Sequence, residues 1–263
     1  MKFEGENSVI GSGLLNQGAI LIIGGPPKSY KSFLLNSICY HLATGTNLFG
    51  VTRRDKHGNE IEVFPVSKPK RVLLLDQEIG FQDLQDRFKT LLTAIPPEHQ
   101  ILCRQNIHIH SCDHNMQLDS RTGIGYIGSL IKSCSPNIVA FDPLIEFHTG
   151  DENSSQDMAL ALRGLDTLRE IHSFESIINH HMSKPPRGGD GEREGPDNLR
   201  GSSVIYAKGD SFMTLKADGR THGKIRVQFK LRRGKPITDL YLQVNQDTLL
   251  TAFVDWREGK ERD

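Results

Sequence analysis

The chain has 263 residues, of which 37% are hydrophobic and 24% are charged, and its 32 basic and 32 acidic side chains balance. This hydrophobic content is enough to bury a core and excludes a wholly disordered chain. With no net charge, any attraction to a polyanion has to come from local patches. No apolar run approaches the roughly 20 residues that span a bilayer, and the acidic start MKFEGENSVI is unlike a signal peptide. The four cysteines show no CxxC spacing, so we expect reduced thiols, a cytoplasmic location and no membrane partner.

Along the chain, short apolar runs alternate with longer segments of helical periodicity. Buried strands are predicted at residues 19–23, 71–76, 107–109, 137–142 and 176–181, and helices at residues 32–42, 80–95, 122–133 and 158–171. The polar segment 52–70 predicts a surface hairpin, and the runs at 212–215, 224–231 and 240–244 predict antiparallel strands. The expected fold is therefore α/β, with a mostly parallel twisted sheet, helices on both faces and antiparallel C-terminal strands.

The chain shows no internal repeat and no linker between two cores, so residues 1–263 are predicted to form a single domain. We expect an N-terminal arm at 1–13 and a C-terminal tail at 246–263. The composition changes near residues 185–200, which are rich in glycine, proline and charges of both signs. This composition is typical of a mobile loop.

A phosphate-binding loop is predicted between the first strand and the first helix. The segment Gly25-Pro26-Pro27-Lys28-Ser29-Tyr30-Lys31-Ser32 matches the pattern G-x-x-x-x-G-K-[ST] at all but one position, and Phe33 follows it. In such a loop, backbone N–H groups cradle phosphates, the lysine reaches the β- and γ-phosphates, and the serine hydroxyl binds Mg²⁺. We therefore expect ATP and Mg²⁺ as cofactors, with residues 25–33 binding the nucleotide.

Tyr30 is the one departure from the pattern, because it stands where the second glycine belongs. That glycine usually takes a backbone conformation that side chains disfavour, at a cost of about 1–3 kcal/mol. From the sequence alone, Tyr30→Gly is expected to be tolerated and to favour nucleotide binding.

Two acidic residues follow buried strands and complete the predicted site. Asp142 ends the strand at 137–142, where a carboxylate can hold Mg²⁺ together with Ser32. Glu78 lies just beyond the strand at 71–76, where a general base for water is needed. The carboxyl ends of parallel strands share one edge of a sheet, so both are expected beside the loop.

In the order and spacing of these segments, the chain resembles the RecA/DnaB-type hexameric ATPases, and most closely the plasmid RepA-type replicative helicases. The resemblance runs from about Leu14 to Val244, and further matching segments are His180-His181-Met182-Ser183-Lys184, Arg200-Gly201-Ser202-Ser203 and Lys230-Leu231-Arg232. It implies a RecA-like fold, self-association into a ring, a hexamer in that family, and single-stranded DNA as partner.

The resemblance also implies roles for individual residues. Glu78 corresponds to the glutamate that activates the attacking water, and His181 to a polar sensor of the γ-phosphate. Lys230 and Arg232 correspond to paired fingers that reach into the neighbouring subunit's site. The implied DNA-contacting positions lie in and beside the mobile loop: Lys184, Arg187, Arg200, Gly201 and Ser202.

Three functional hypotheses stay open at this point. The first is a ring-shaped DNA helicase or translocase driven by ATP, the second is a filament-forming recombination or repair ATPase of the RecA/RadA kind, and the third is a degenerate nucleotide-binding scaffold marked by Tyr30. The alternating residues His108, His110, Cys112 and His114 are spaced too far apart for one tetrahedral ion, so no metal is expected there.

Overall fold

A nine-stranded sheet forms the centre of the computed structural model, which describes residues 8–182, 202–219 and 221–256. The strands are β1 (Ser8–Ile10), β2 (Leu15–Asn16), β3 (Ile20–Gly25), β4 (Thr52–Arg54), β5 (Glu60–Glu62), β6 (Val72–Asp76), β7 (Ile107–Ser111), β8 (Ile138–Asp142), β9 (Glu175–His181), β10 (Ser211–Ala217), β11 (Lys224–Leu231), β12 (Leu240–Val244) and β13 (Thr251–Trp256). The helices are α1 (Lys31–Thr44), α2 (Phe81–Thr93), α3 (Pro97–Asn106), α4 (Arg121–Cys134), α5 (Ser155–His172) and α6 (Ser202–Lys208).

The central sheet has the strand order β13-β12-β11-β10-β3-β9-β8-β6-β7. The six strands from β10 to β7 run parallel to one another. The strands β11, β12 and β13 extend the sheet as an antiparallel meander. This arrangement confirms the predicted fold class. The polar segment that predicted a hairpin forms the small antiparallel pair β4 and β5.

Alternating side chains of the parallel strands enter two separate cores, one on each face of the sheet. In β3, Leu21 and Ile23 face the core that contains α1 and α2, whereas Ile20 and Ile22 face the core that contains α4, α5 and α6. Because both faces are covered, the strands read as continuous apolar runs, which is why the sequence reveals them so clearly.

Both ends of the described chain are more ordered than the sequence indicates. The segment expected as an arm contains β1, and Val9 and Ile10 are buried in the core beside α1. The segment expected as a tail contains β13, which pairs with β12 along its length. The sequence analysis also missed α3, which begins directly after Pro96, and α6. Among the described residues, no helix is both long enough and apolar enough to cross a bilayer.

Candidate functional site

The carboxyl ends of four neighbouring parallel strands bring the predicted site residues together. The loop after β3 carries Lys31, and β6 and β8 end at Asp76 and Asp142, which are paired in register. β9 ends at His181, which is paired with Gly25 of β3. Since adjacent strands lie about 4.8 Å apart, these four strand ends span only about 14 Å. The sheet therefore gathers one lysine, one histidine and two carboxylates at a single edge.

The side chains of the phosphate loop pack closely against the loop's own backbone. Lys31 is 7% exposed, and its Nζ donates hydrogen bonds to the carbonyl oxygens of Gly25 (3.1 Å) and Pro26 (3.0 Å). A Cβ atom on Gly25 would lie 2.5 Å from Ser29 Oγ, so this close approach requires glycine. The buried Ser29 Oγ has no hydrogen-bond partner within the described chain. The loop thus presents an unused buried hydroxyl beside a buried ammonium group.

Burial lowers the pKa of Lys31 to about 8, although the nearby carboxylates of Asp142 and Glu78 act in the opposite direction. A buried cation of this kind gains stability from an anion placed beside it. Phosphate is such an anion, and the start of α1 directly after the loop adds the partial positive charge of a helix N-terminus.

Tyr30 takes the left-handed conformation that the missing glycine would take. It is the N-cap of α1, with φ 65° and ψ 21°, and Lys28 also has a positive φ of 62°. A side chain in this region costs on the order of 1–3 kcal/mol. The loop therefore keeps the backbone shape of a phosphate loop despite Tyr30.

Asp142 lies at the centre of the strand edge and is 2% exposed. Its Oδ1 accepts a hydrogen bond of 2.8 Å from Asn179 Nδ2, whereas its buried Oδ2 has no partner within the described chain. Burial, together with the charge of Asp76, raises the pKa of Asp142 to about 7, while the hydrogen bond from Asn179 and the nearby Ser32 hydroxyl act to lower it. A buried carboxylate held beside a second one is the kind of group that a divalent cation stabilises.

The donor set fits the Mg²⁺ that the sequence predicts. The Ser32 hydroxyl lies close enough to Asp142 to lower the pKa of its carboxyl, so the two groups expected to share Mg²⁺ lie near each other. Oxygen atoms of this kind suit Mg²⁺, which takes one or two protein ligands and fills the other positions with phosphate oxygens and water. No group of three or more His, Cys, Asp or Glu residues within the described ranges is arranged to hold a metal by protein ligands alone.

The sequence analysis did not single out Asp76 or Asn179 as site residues. Asp76 is 2% exposed, and its Oδ1 accepts hydrogen bonds from the backbone N–H groups of Glu78 (2.9 Å) and Ile79 (3.0 Å). Asn179 is fully buried two positions before His181. The sequence does hold a signal for both residues: each is a polar residue within, or at the end of, an otherwise apolar strand. Burying a polar group in such a strand costs free energy, so its presence there points to a role in the site.

Glu78 and His181 lie beside Lys31, although on different strand ends. The Glu78 side chain is exposed at the sheet edge. Its charge partly opposes the lowering of the Lys31 and His181 pKa values by burial, and it adds slightly to the rise that burial causes in the pKa of Asp142. Burial and the Lys31 charge lower the pKa of His181, whose buried Nδ1 has no hydrogen-bond partner among the described residues. The roles of Glu78 as a base and of His181 as a phosphate sensor stay predictions.

Lys230, near the end of β11, and Arg232, just beyond it, both contact α6. The Lys230 Nζ lies 4.6 Å from the ring centre of Tyr206. The guanidinium of Arg232 donates to the carbonyl oxygen of Ala207 at 2.6 Å. Both cations therefore pack against α6 of their own chain.

Arg232 lies at the opposite end of the sheet from the phosphate loop. The backbone N–H of Arg232 bonds to Asp210, whose own N–H bonds to Ile20 at the start of β3. Gly25 is five residues further along β3, or about 17 Å at the rise of a strand. Arg232 therefore cannot serve its own chain's loop without a large rearrangement.

The predicted DNA-contacting residues are only partly described. Lys184, Arg187, Arg200 and Gly201 lie outside the described residues. Ser202 is the first residue of α6. Their proposed role stays a prediction.

Of the alternating histidines, His110 makes local hydrogen-bonding contacts at the edge of the sheet. His110 Nε2 lies 3.4 Å from Asp113 Oδ2 and 3.3 Å from the Tyr126 hydroxyl. These contacts lie on β7, at the edge of the central sheet, and away from the phosphate loop.

Comparisons with known proteins agree with this arrangement. No curated protein matches the chain. Among solved structures, the chain is similar to an ATPase domain, with a TM-score of 0.66, 14% identity and coverage of 96% of this chain and 94% of that one. It is also similar to the KaiC-like protein PH0186 from Pyrococcus horikoshii OT3, with a TM-score of 0.57, 11% identity and coverage of 94% and 93%. These likenesses confirm the RecA-like fold.

The AAA domain family matches residues 3–187, which include the phosphate loop and all four strand ends. The chain therefore belongs to the AAA domain family.

Proposed function

We propose that the chain is a Mg²⁺-dependent ATPase of the RecA/DnaB class that works as a ring-shaped DNA helicase or translocase of the RepA type. The observation that carries the ATPase part is the convergence of Lys31, Asp142, Glu78 and His181 on the edge of the sheet beside the phosphate loop. Membership of the AAA domain family and the likeness to a solved ATPase domain support the same class.

Each side chain then has a defined task. Lys31 turns from its own loop carbonyls to the γ-phosphate, and the loop N–H groups hold the remaining phosphate oxygens. Ser32 and Asp142 hold Mg²⁺, which offsets negative charge on the phosphates when bound. Glu78, on the solvent side, accepts the proton of the attacking water. His181 reports the presence of the γ-phosphate through the nitrogen that has no partner within the described chain.

Lys230 and Arg232 support self-association. Because Arg232 lies at the far end of the sheet from its own loop, it can act as a finger only in another subunit's site, and Lys230 is proposed to act beside it. Such a finger stabilises charge that develops on the transferred phosphoryl group. The release of Arg232 from Ala207 would then accompany assembly.

ATP hydrolysis by the purified full chain tests the catalytic part. We expect Mg²⁺-dependent phosphate release that Lys31→Ala abolishes. The matched control is Lys89→Ala, which removes an exposed lysine that pairs with Asp86 on α2 and should leave turnover unchanged. Equal turnover in the Lys31→Ala variant would overturn the nucleotide site.

Electron microscopy of negatively stained protein with an ATP analogue and single-stranded DNA tests the assembly. Closed rings are expected. Open helical filaments would instead indicate a RecA/RadA-like recombination ATPase. Nucleotide binding without turnover or assembly would indicate a scaffold.

A further inference from the structure

Tyr30 combines an unfavourable backbone conformation with several specific side-chain contacts. Its left-handed φ of 65° is one that glycine would adopt freely. The side chain therefore has to contribute interactions that glycine cannot make. The contacts within the described chain identify the residues with which the Tyr30 side chain interacts.

The Tyr30 side chain bridges the phosphate loop and a distant turn. Its hydroxyl accepts a hydrogen bond of 3.2 Å from the backbone N–H of Gly223, which is 193 positions further along the chain. Its ring meets His222 edge to face, with centroids 6.1 Å apart, and it lies 6.2 Å from Phe33 on α1. The bridge thus joins the start of α1 to the turn between β10 and β11.

The far end of this bridge is itself held in place. The carbonyl oxygen of Gly223 accepts a hydrogen bond of 2.8 Å from Val244, and the His222 carbonyl accepts one of 2.9 Å from Gln243 Nε2. A Cβ on Gly223 would lie 2.6 Å from Gln243 Nε2, so the turn packs closely against β12. The Tyr30 hydroxyl is therefore anchored to a turn that is fixed by the sheet.

We propose that Tyr30 is a positioning residue that holds the phosphate loop in its phosphate-binding shape by fastening it to the turn at residues 221–223. This inference rests on the proposed nucleotide site. A glycine in this position leaves the loop free to sample other conformations, and binding must then order it at a cost in affinity. The ring contacts reverse the expectation from the sequence alone, because Tyr30→Gly should now weaken binding.

Tyr30→Phe tests the hydroxyl without removing the ring. One neutral hydrogen bond contributes about 1 kcal/mol, so the Kd for a fluorescent ATP analogue and the KM for ATP should rise roughly 3- to 10-fold. The kcat should change less than about 2-fold, because the loop, once occupied, has its normal shape. The matched control, Tyr126→Phe on α4, removes a hydroxyl that contacts His110 at the edge of the sheet and should leave Kd and KM unchanged. Wild-type Kd and KM in Tyr30→Phe would overturn the proposal.

A double-mutant cycle tests the bridge itself. His222→Ala should weaken binding in the wild-type background and have no further effect in the Tyr30→Gly background, because its partner is then absent. Additive losses would show that the two residues act independently and would contradict the bridge.

A probe that lacks the nucleobase distinguishes positioning of the phosphate loop from direct contact between Tyr30 and the nucleobase. Tripolyphosphate binds only through the phosphate loop, so Tyr30→Phe and Tyr30→Gly should weaken it by the same factors as the ATP analogue. If only the nucleotide is weakened, the ring contacts the base and the proposal fails. If the wild-type chain binds neither probe, the failure lies with the proposed function and the bridge has nothing to position.

Discussion

Asp142 should destabilise the nucleotide-free chain at neutral pH, and Asp142→Asn should remove this effect. The variant keeps an oxygen that can accept the hydrogen bond from Asn179, but it has no charge to repel Asp76. Because the pKa of Asp142 is raised from 3.8 to about 7, the folded chain binds this proton more tightly than the unfolded chain does. The cost of ionising Asp142 is therefore absent well below pH 4, grows as the pH rises, and is complete above pH 7.

The size of the effect follows from this shift. At about 1.36 kcal/mol per pKa unit, the cost is roughly 2 kcal/mol at pH 5 and roughly 4 kcal/mol at pH 8. The variant should therefore gain roughly 2–3 kcal/mol over the wild type between these pH values, or about 5–10 °C in Tm for a chain of this size.

Thermal unfolding of both proteins in a chelating buffer at pH 5 and pH 8 measures this gain. The control is Asp247→Asn, at an exposed position in the turn between β12 and β13, for which no such gain is expected. A Tm difference between Asp142→Asn and wild type that does not grow with pH would refute the reasoning. With Mg²⁺ and an ATP analogue added, the wild type should gain more stability than the variant does, because only the carboxylate binds the cation strongly.

The remaining predictions concern the other groups of the site and one buried histidine. Glu78→Gln should retain nucleotide binding and lose roughly 10²- to 10⁴-fold in turnover; native turnover would place the base elsewhere. Arg232→Ala and Lys31→Ala should each be inactive, yet mixed oligomers should regain turnover, because some interfaces pair an intact loop with an intact finger; no rescue despite proven subunit exchange would argue against a finger acting between subunits. Burial lowers the pKa of His41 to about 3, so its contribution to stability is lost as the pH falls below about 6.5. Denaturant unfolding of wild type and His41→Asn should therefore differ by about 2–3 kcal/mol less at pH 4.5 than at pH 7.5, and a constant difference would contradict the buried neutral histidine.

Local patterns were sufficient for most of the central sheet and for the phosphate loop. A strand covered on both faces reads as a continuous apolar run, so β3, β6, β8 and β9 are visible without any knowledge of their neighbours. Lys31 and Ser32 are recognisable because a phosphate loop is a contiguous segment between a strand and a helix. Asp142 and Glu78 follow their strands directly, so strand direction alone predicted the edge on which they lie.

Only the tertiary structure could reveal the elements whose stability comes from distant partners. β1 and β13 are short and partly polar, and each forms a strand because another strand lies beside it. Likewise, the ionisation of Asp142 depends on Asp76 and Asn179, which strand register brings beside it from 66 and 37 positions away in sequence. The contact between Tyr30 and Gly223 is of the same kind, since a sequence motif records a missing glycine but cannot show which backbone N–H the replacing side chain will meet. Local sequence thus determined the strands, the loop and the types of chemical group, whereas the partners of those groups were decided by long-range packing, which no local periodicity encodes.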